Sequence, residues 1–487
     1  MRKFMTEIQD KATPLRMLVL GPALMLITLL TPSPFEGMSV EAWHTLGLAL
    51  WMATWWISEA TPVSVTAFLP LIVAPIVGIA PIKVTTSSYA HPLIFLFLGG
   101  FFISIAMERW NLHKRIALKA MSLCSTKPSH QIGGLMLVTA FLSMWMSNTA
   151  TAVMMLPIAL SIIEMVKQKQ SGANPENFSK PMLLAIAFSA SIGGLATLIG
   201  TPPNALMAAY LADSYDIEIG FAQWMIIGVP LSTVLLILCW FILTKVCYQV
   251  NEGERVDTNS MFKEKLLELG KMNKGEKLVL FFFAFAALSW IFRPLIGKMT
   301  GLAISDTGIA MFVALLLFVV PVDRKKDIRI LAWEDTKKLP WGVLLLFGGG
   351  LALASLIKKS GLASFIATQL EATSTIPVIA AVLVVTVTIL FLTEVTSNTA
   401  TAASFLPLLG PIAVTLTDGP LMLVIPAALA ASCAFMMPVA TPPNAIVFSS
   451  GELRIKDMAR AGFWLNIAAI GMIVLLMLTT VPMVFNL

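Results

Sequence analysis

The hexapeptide Ser-Asn-Thr-Ala-Thr-Ala occupies residues 147–152 and returns unchanged at residues 397–402. Two further motifs recur in the same order around it, IFLFLGG at 94–100 with VLLLFGG at 343–349, and Thr-Pro-Pro-Asn-Ala at 201–205 and again at 441–445. Three motifs repeated in one order are poorly explained by chance. They predict a chain built from two related halves, an arrangement that is typical of secondary transporters.

The composition predicts a membrane protein. Of the 487 residues, 57% are hydrophobic and 12% are charged, whereas a soluble domain carries about 25% charged residues. The mean hydropathy of +0.85 agrees with this. These values exclude a soluble enzyme, a disordered regulator and a secreted disulfide scaffold. The four cysteines lack CxxC spacing, and no HExxH motif or ATP-binding P-loop is present.

Eleven apolar runs are long enough to cross a bilayer, which takes about 20 residues. They lie near 17–31, 41–60, 62–82, 92–108, 181–210, 221–246, 277–296, 303–321, 339–357, 421–450 and 462–485. The stretches 131–165 and 376–417 are too long for one span, and each is interrupted by a Ser-Asn-Thr cluster. Because polar backbone at membrane depth must face protein or an aqueous cavity, we expect two re-entrant hairpins.

Charge is distributed unequally over the two predicted sides of the membrane. With the N-terminus in the cytoplasm, all but five of the 33 lysines and arginines fall on the cytoplasmic side. The exceptions are Lys83, Arg293, Lys298, Lys358 and Lys359. The net charge of +6 therefore indicates topology rather than nucleic-acid binding. In this topology the first hairpin opens from the cytoplasm and the second from outside, so the two halves are inverted.

The repeated motifs carry groups that bind ions. Asparagine and threonine in mid-membrane are costly unless they have partners; their oxygens suit sodium, and their N–H and O–H groups can donate to a carboxylate. The prolines of Thr-Pro-Pro-Asn interrupt a helix and free carbonyl groups upstream, next to Gly200 and Ala440. Small polar residues also join transmembrane helices, but two paired copies favour a binding site.

Glu394 is an acidic residue inside the second predicted hairpin, where the first half has Met144. A carboxylate within the membrane is a functional candidate. The alternative is a structural ion pair or hydrogen bond behind the site, and the sequence leaves both interpretations open.

At these motifs the sequence resembles the divalent anion/sodium symporter family, over nearly the whole chain. The resemblance implies an all-α polytopic homodimer with eleven transmembrane helices, two re-entrant hairpins, inverted repeats, and scaffold and transport domains that work as an elevator. The corresponding segments are 1–130 and 278–375 for scaffold helices and the start of each repeat, 131–210 and 376–450 for the hairpins and broken helices of the transport domain, 211–250 and 451–487 for further transmembrane helices, and 251–277 for a cytoplasmic linker.

The resemblance also implies the site residues. The first sodium site takes Ser143, Ser147, Asn148 and Gly200, and the second takes Thr393, Ser397, Asn398 and Ala440. Substrate carboxylates meet Asn148, Thr149, Thr201 and Pro202 on one side, and Asn398, Thr399, Thr441 and Pro442 on the other. Family exchangers that work without sodium often lose the second motif; here both are intact.

The expected function is sodium-coupled symport of C4-dicarboxylates such as succinate, malate and fumarate, by a multi-pass protein of the inner membrane. A citrate or sulfate transporter or a dicarboxylate exchanger of the same family remains open, because hydroxyl and amide donors accept all of these anions. An enzyme is less favoured, since no nucleophile–base set or metal cluster is visible in the sequence. A channel would give flux without sodium-driven accumulation, whereas a symporter gives uptake against a substrate gradient. We expect sodium ions, a small dicarboxylate and the lipid bilayer as partners, and no nucleic acid.

Overall fold

In the part of the chain that the structure describes, two series of seven helices follow each other, with similar lengths in five of the seven pairs and shorter fifth and sixth helices in the second series. The computed structural model describes residues 2–169, 176–250, 259–371, 376–417 and 419–485. The first series is α6 (Pro92–Arg109), α7 (Leu112–Met121), α8 (Pro128–Ser143), α9 (Asn148–Lys169), α10 (Glu176–Gly194), α11 (Pro202–Tyr215) and α12 (Phe221–Phe241), which continues as a π-helix (Ile242–Cys247). The second is α16 (Trp341–Lys359), α17 (Leu362–Glu371), α18 (Val378–Thr393), α19 (Asn398–Leu416), α20 (Leu421–Ala431), α21 (Pro442–Phe448) and α22 (Ile455–Leu478).

The remaining elements flank these series. Before the first are α1 (Arg2–Leu30), α2 (Val40–Ser58), α3 (Val63–Thr66), α4 (Leu69–Val77), α5 (Ile82–Ser87) and a 3-10 turn (Ser88–Ala90). Between the series lie α13 (Asn259–Glu268), α14 (Lys274–Thr300), α15 (Asp306–Val319), β1 (Pro321–Asp323), β2 (Ile328–Arg329) and a 3-10 helix (Trp333–Lys338), and α23 (Thr480–Phe485) follows the second.

A short antiparallel ribbon departs from the predicted all-α architecture. β1 pairs with β2, with Pro321 opposite Arg329 and Asp323 opposite Ile328. The Lys325 N–H donates to Asp323 Oδ1 at 2.9 Å, which closes the turn between the strands. Aspartate favours such turns because its side chain bonds the nearby backbone. The prediction of helices alone is wrong at this ribbon, and the fold is otherwise mostly helical.

The predicted linker 251–277 contains the helix α13, and residues 251–258 lie outside the described residues. α13 packs against α7, and its Phe262 is fully buried. Lys265 Nζ on α13 donates to Ser161 Oγ on α9 at 3.0 Å. This helix therefore joins the segment between the two series to the first of them.

The centre of the molecule is formed by α10 and α20. Every residue from Phe178 to Gly194 in α10 is buried, as are all residues of α20 except Met422. α8 and α9 pack on α10, and their counterparts α18 and α19 pack on α20. The short helices cross between the series, because α11 packs on α19 and α21 packs on α9. This exchange brings the two repeated motifs to the same place.

The outer helices present apolar side chains to their surroundings. On α14, Phe281 is 61% exposed and Leu295 is 53% exposed. Large apolar surfaces of this kind are stable in lipid rather than in water. Within the described residues, seven helices are long and apolar enough to cross a membrane, and five more apolar helices are shorter. The chain is a multi-pass membrane protein.

Candidate functional site

The first Ser-Asn-Thr motif lies at the turn between α8 and α9. Ser147 Oγ accepts a hydrogen bond from the Ala150 N–H at 3.2 Å, as serine commonly does at a helix start. The buried Ser143 hydroxyl, at the end of α8, lies 2.6 Å from Asn148 Oδ1 and 2.7 Å from the Ala190 carbonyl oxygen. Three oxygens therefore share a single hydroxyl proton.

The second motif repeats this geometry at the turn between α18 and α19. The buried Thr393 hydroxyl lies 2.7 Å from Asn398 Oδ1 and 2.9 Å from the Ala431 carbonyl oxygen in α20. Ser397 precedes the first turn of α19 in an extended conformation. The hydroxyl groups of serine and threonine thus take equivalent places in the two halves.

Each Thr-Pro-Pro-Asn motif restarts a broken helix. Thr201 and Thr441 are extended, with φ of −143° and −140°, and prolines follow them at the start of α11 and α21. Proline keeps its predecessor out of the helical region and fits the first helical turn, where no N–H is needed. The sequence therefore fixes the end of each break at the same residue of the motif.

The oxygens of the first half converge near Gly194, the last residue of α10. A Cβ atom added to Gly194 would lie 2.9 Å from Asn148 Oδ1 and 3.0 Å from the Gly200 carbonyl oxygen. The lack of a side chain at Gly194 therefore leaves a gap that two of the predicted sodium ligands border. Ala434 takes the corresponding position in the second half.

Both motifs open onto one cavity with a volume of about 960 Å³. All predicted site residues except Ser143 and Thr393 line it. They are Ser147, Asn148, Thr149, Gly200, Thr201 and Pro202 from the first half, and Ser397, Asn398, Thr399, Ala440, Thr441 and Pro442 from the second. Ser143 and Thr393 are fully buried behind Asn148 and Asn398. The structure thus brings together residues from positions about 250 apart.

The charged residues on the cavity lining are Glu59, Glu108 and Lys338, and they come from helix ends outside the two motifs. At the motifs themselves the lining offers amide, hydroxyl and backbone groups. Neutral donors and acceptors can bind an anion and a cation together, since asparagine and threonine serve as both donors and acceptors.

Glu394 lies behind the second motif and is only 3% exposed. Its Oε1 accepts hydrogen bonds from the Phe435 N–H at 2.8 Å and from Asn466 Nδ2 at 2.6 Å. The N–H groups of Met436 and Met437 complete the set at 3.0–3.1 Å. Of the two interpretations that the sequence left open, this geometry favours the hydrogen bond behind the site. The carboxylate holds the backbone of the second helix break.

Sequence reasoning missed several residues of the site. Glu59, Glu108 and Lys338 looked like ordinary helix-end charges, and their approach to the motifs depends on packing between distant helices. Phe97 belongs to the repeated motif IFLFLGG, but its place on the cavity lining was not predicted, and Phe101 gave no signal in an apolar run. Asn466 did give a signal in the sequence, because it is a polar residue in an apolar stretch. The structure shows that it is completely buried.

The chain is similar to a family of membrane transporters. The family described as "Sodium:sulfate symporter transmembrane region" matches residues 12–487. The sodium-dependent dicarboxylate transporter SdcS of Staphylococcus saprophyticus is 45% identical over 476 residues, which cover 96% of this chain and 92% of that protein. The protein of the same name from Staphylococcus aureus (strain bovine RF122) is 44% identical, covering 96% and 91%.

Two solved structures share the fold. The YdaH transporter of Alcanivorax borkumensis superposes with a TM-score of 0.56 over 82% of this chain and 87% of that one. Neisseria gonorrhoeae MtrF, from a class of antimetabolite efflux pumps, also gives 0.56 and covers 94% of each chain. At 14% sequence identity, these likenesses concern the fold alone.

Proposed function

The chain belongs to the sodium:sulfate symporter family, and on that premise we propose that it carries C4-dicarboxylates such as succinate, malate and fumarate into the cell together with sodium ions. The observation that carries this proposal is the meeting of both Ser-Asn-Thr motifs at one cavity. Relatives with 44–45% identity are named sodium-dependent dicarboxylate transporters, and these names denote transporters rather than enzymes.

The dicarboxylate binds between the two motifs. α9, α11 and α19 all begin at the cavity lining, so their N-terminal ends, which carry partial positive charge, lie around it. The side chains of Asn148 and Asn398 and the hydroxyls of Thr149 and Thr399 supply further donors. One carboxylate meets each half, which explains why a pair of motifs is needed for a substrate with two charged ends.

Sodium ions supply the positive charge that the motifs lack. A dicarboxylate carries two charges at pH 7, because carboxyl groups titrate near 4. Transferring even one unpaired ion out of water costs several kcal/mol. The oxygen clusters at Ser143–Asn148 and Thr393–Asn398 each hold three oxygens and one hydroxyl proton, an arrangement that a bound cation stabilises. At least two sodium ions therefore accompany each dianion, and they bind before it.

The finer architecture is part of the proposal. Glu59, Glu108 and Lys338 on the cavity lining belong to helix ends that the charge distribution assigns to the cytoplasm, which supports an inward-facing state. We assign eleven spans, with α8–α9 and α18–α19 as re-entrant hairpins. The hairpins pack on α10 and α20 and form one transport unit with them. This unit moves as an elevator against the scaffold of a homodimer. The protein lies in the inner membrane with its N-terminus in the cytoplasm.

Uptake into proteoliposomes tests the function. An inward sodium gradient should drive accumulation of labelled succinate against its own gradient, with a sigmoidal dependence on sodium, and potassium should not replace sodium. Full uptake without sodium would favour the exchanger. Stronger competition by citrate or sulfate than by malate would identify another substrate, which the cavity volume of about 960 Å³ could accommodate.

The variants Asn148→Ala and Asn398→Ala locate the site. Each removes a hydrogen bond to a charged group, worth about 1.5–3 kcal/mol, so half-saturation for succinate should rise about tenfold or more. Thr233→Ala is the control, because Thr233 on α12 is exposed and bonds only its own helix, at the Val229 carbonyl. Near-normal uptake by either asparagine variant would mean that the motifs serve only for packing.

A further inference from the structure

The asparagine of each Thr-Pro-Pro-Asn motif contacts the helix break that precedes it. Asn204 is fully buried at the start of α11. Its Nδ2 donates to the carbonyl groups of Gly194 at 3.3 Å, Leu195 at 3.2 Å and Thr197 at 2.9 Å. One side chain therefore collects the carbonyl groups that the end of α10 leaves without a helical partner.

The second half contains the same arrangement. Asn444 is also fully buried, and its Nδ2 donates to the Ala434 carbonyl at 3.1 Å and to the Met437 carbonyl at 3.0 Å. The two halves agree in position along the chain, since each asparagine bonds the carbonyls ten and seven residues before it. The neighbouring contacts differ between the halves. In the second half Glu394 accepts hydrogen bonds from the N–H groups of the break, and the first half has Met144 in place of Glu394.

In the first half, these hydrogen bonds lie next to the residues that border the proposed cation position. The Gly194 carbonyl, which accepts from Asn204, lies 2.5 Å from the point where a Cβ on Gly200 would stand. Gly194 in turn borders Asn148 Oδ1 and the Gly200 carbonyl oxygen. A shift of the segment from Gly194 to Gly200 would therefore move the Gly200 carbonyl oxygen relative to Asn148 Oδ1. Asn204 would have this effect although it is absent from the cavity lining.

The cost of these side chains argues against a role in packing alone. Among the described residues, neither Asn204 Oδ1 nor Asn444 Oδ1 has a hydrogen-bond partner, and both are buried. A buried carbonyl oxygen without a donor destabilises the fold. The same costly side chain in both halves fits a function that needs the amide donors.

We propose that Asn204 and Asn444 are positioning residues for the two cation sites. Each holds the carbonyl groups of its own helix break in the arrangement that a sodium ion requires when it leaves water, so that little reorganisation opposes binding. The inference rests on the proposed function only for the identity of the cation, and it can be measured without any dicarboxylate.

The test is sodium-dependent thermal stabilisation of the purified full-length protein, with choline chloride keeping the ionic strength constant. Binding to the folded state raises the unfolding temperature as the sodium concentration passes the dissociation constant. Asn204→Leu and Asn444→Leu remove the donors at similar volume. Ser232→Ala is the matched control, because the Ser232 hydroxyl also donates to a buried carbonyl of α10, that of Ile192, but outside the break.

We expect the sodium midpoint to rise about tenfold or more in each leucine variant, and to stay within about twofold of the wild type in Ser232→Ala. If a leucine variant is not monodisperse, Asn204→Ser and Asn444→Ser replace it; each keeps one donor, and a midpoint raised about threefold is expected. Midpoints equal to that of Ser232→Ala would overturn the inference. A wild-type protein that sodium does not stabilise would overturn the inference and the sodium coupling together. Sodium stabilisation without dicarboxylate uptake would overturn only the proposed substrate.

Discussion

At the scale of single residues, Gly194 is where the smallest chemical change should have a large effect. The methyl group of Gly194→Ala would stand 2.9 Å from Asn148 Oδ1 and 3.0 Å from the Gly200 carbonyl oxygen. Contacts this short force at least one of these oxygens to move, and the second belongs to the backbone. We expect the sodium concentration for half-maximal succinate uptake to rise about tenfold or more.

Gly471→Ala is the control for this substitution. Gly471 lies within α22, and a Cβ at this position meets no atom within 4 Å. Replacing glycine by alanine inside a helix contributes about 0.5–1 kcal/mol of stability, so uptake should be unchanged. If Gly194→Ala and Gly471→Ala have the same sodium dependence, the gap at Gly194 is not part of a cation site.

The individual site residues could be predicted where the signal is local. Ser-Asn at a helix start and Thr-Pro-Pro at a restart determine the backbone by themselves. These local signals place Asn148 and Asn398 at the start of a helix, and from there we could expect both residues to line the site. The role of Asn204 could not be predicted, because a buried asparagine shows its partners only once the helix break has a conformation.

At the scale of elements, the two helix breaks share the asparagine contacts but differ in their other stabilising groups. Glu394 accepts the N–H groups of the second break, whereas in the first break Thr197 Oγ1 donates to the carbonyl of Met144, the counterpart of Glu394. Glu394→Gln keeps the shape but places an NH₂ group among four donors. A hydrogen bond to a charged group contributes about 1.5–3 kcal/mol, so we expect a lower unfolding temperature than in the wild type.

The comparison of Glu394→Gln with Glu394→Met separates the possible roles of this residue. Methionine, the residue of the first half, removes every acceptor, and its unfolding temperature should be lower than that of the glutamine variant. Unfolding temperatures equal to that of the wild type would show that the carboxylate does not hold the break. The sequence could not decide this question, because the partners Phe435 and Asn466 lie 41 and 72 residues from Glu394.

At the scale of the whole molecule, the helices α6–α12 are repeated as α16–α22, and the repeated motifs of both series meet at one cavity. The two related halves could be predicted from the sequence, because repeated motifs can be recognised without knowing which residues contact each other. It could not predict that α11 packs on α19 and α21 on α9, since such crossing contacts depend on the shapes of both halves. α11 also contacts α16 of the second series.

That contact joins α16 to the end of α11. Lys358 Nζ donates to the Ser214 carbonyl oxygen at 2.6 Å, where a cation also interacts favourably with the helix C-terminus. In the topology proposed above, Lys358 lies on the outer side and the lining residues Glu108 and Lys338 lie on the cytoplasmic side. In the proposed inward-facing state this hydrogen bond would hold the outer side closed, and the proposed elevator movement of α11 along α16 would have to break it.

Lys358→Met should shift the conformational equilibrium away from the inward-facing state. The readout is labelling of Val439→Cys, which is 79% exposed on the cavity lining, by a maleimide added from the cytoplasmic side, with the four native cysteines replaced. Because Lys358 is exposed, solvent screening reduces the gain from its charge. We expect slower labelling, by at most about threefold, which is the limit for a change of about 0.65 kcal/mol in the equilibrium. Lys359→Met removes the neighbouring charge but leaves the Lys358–Ser214 hydrogen bond, so equal rates in the two variants would contradict the role of this contact.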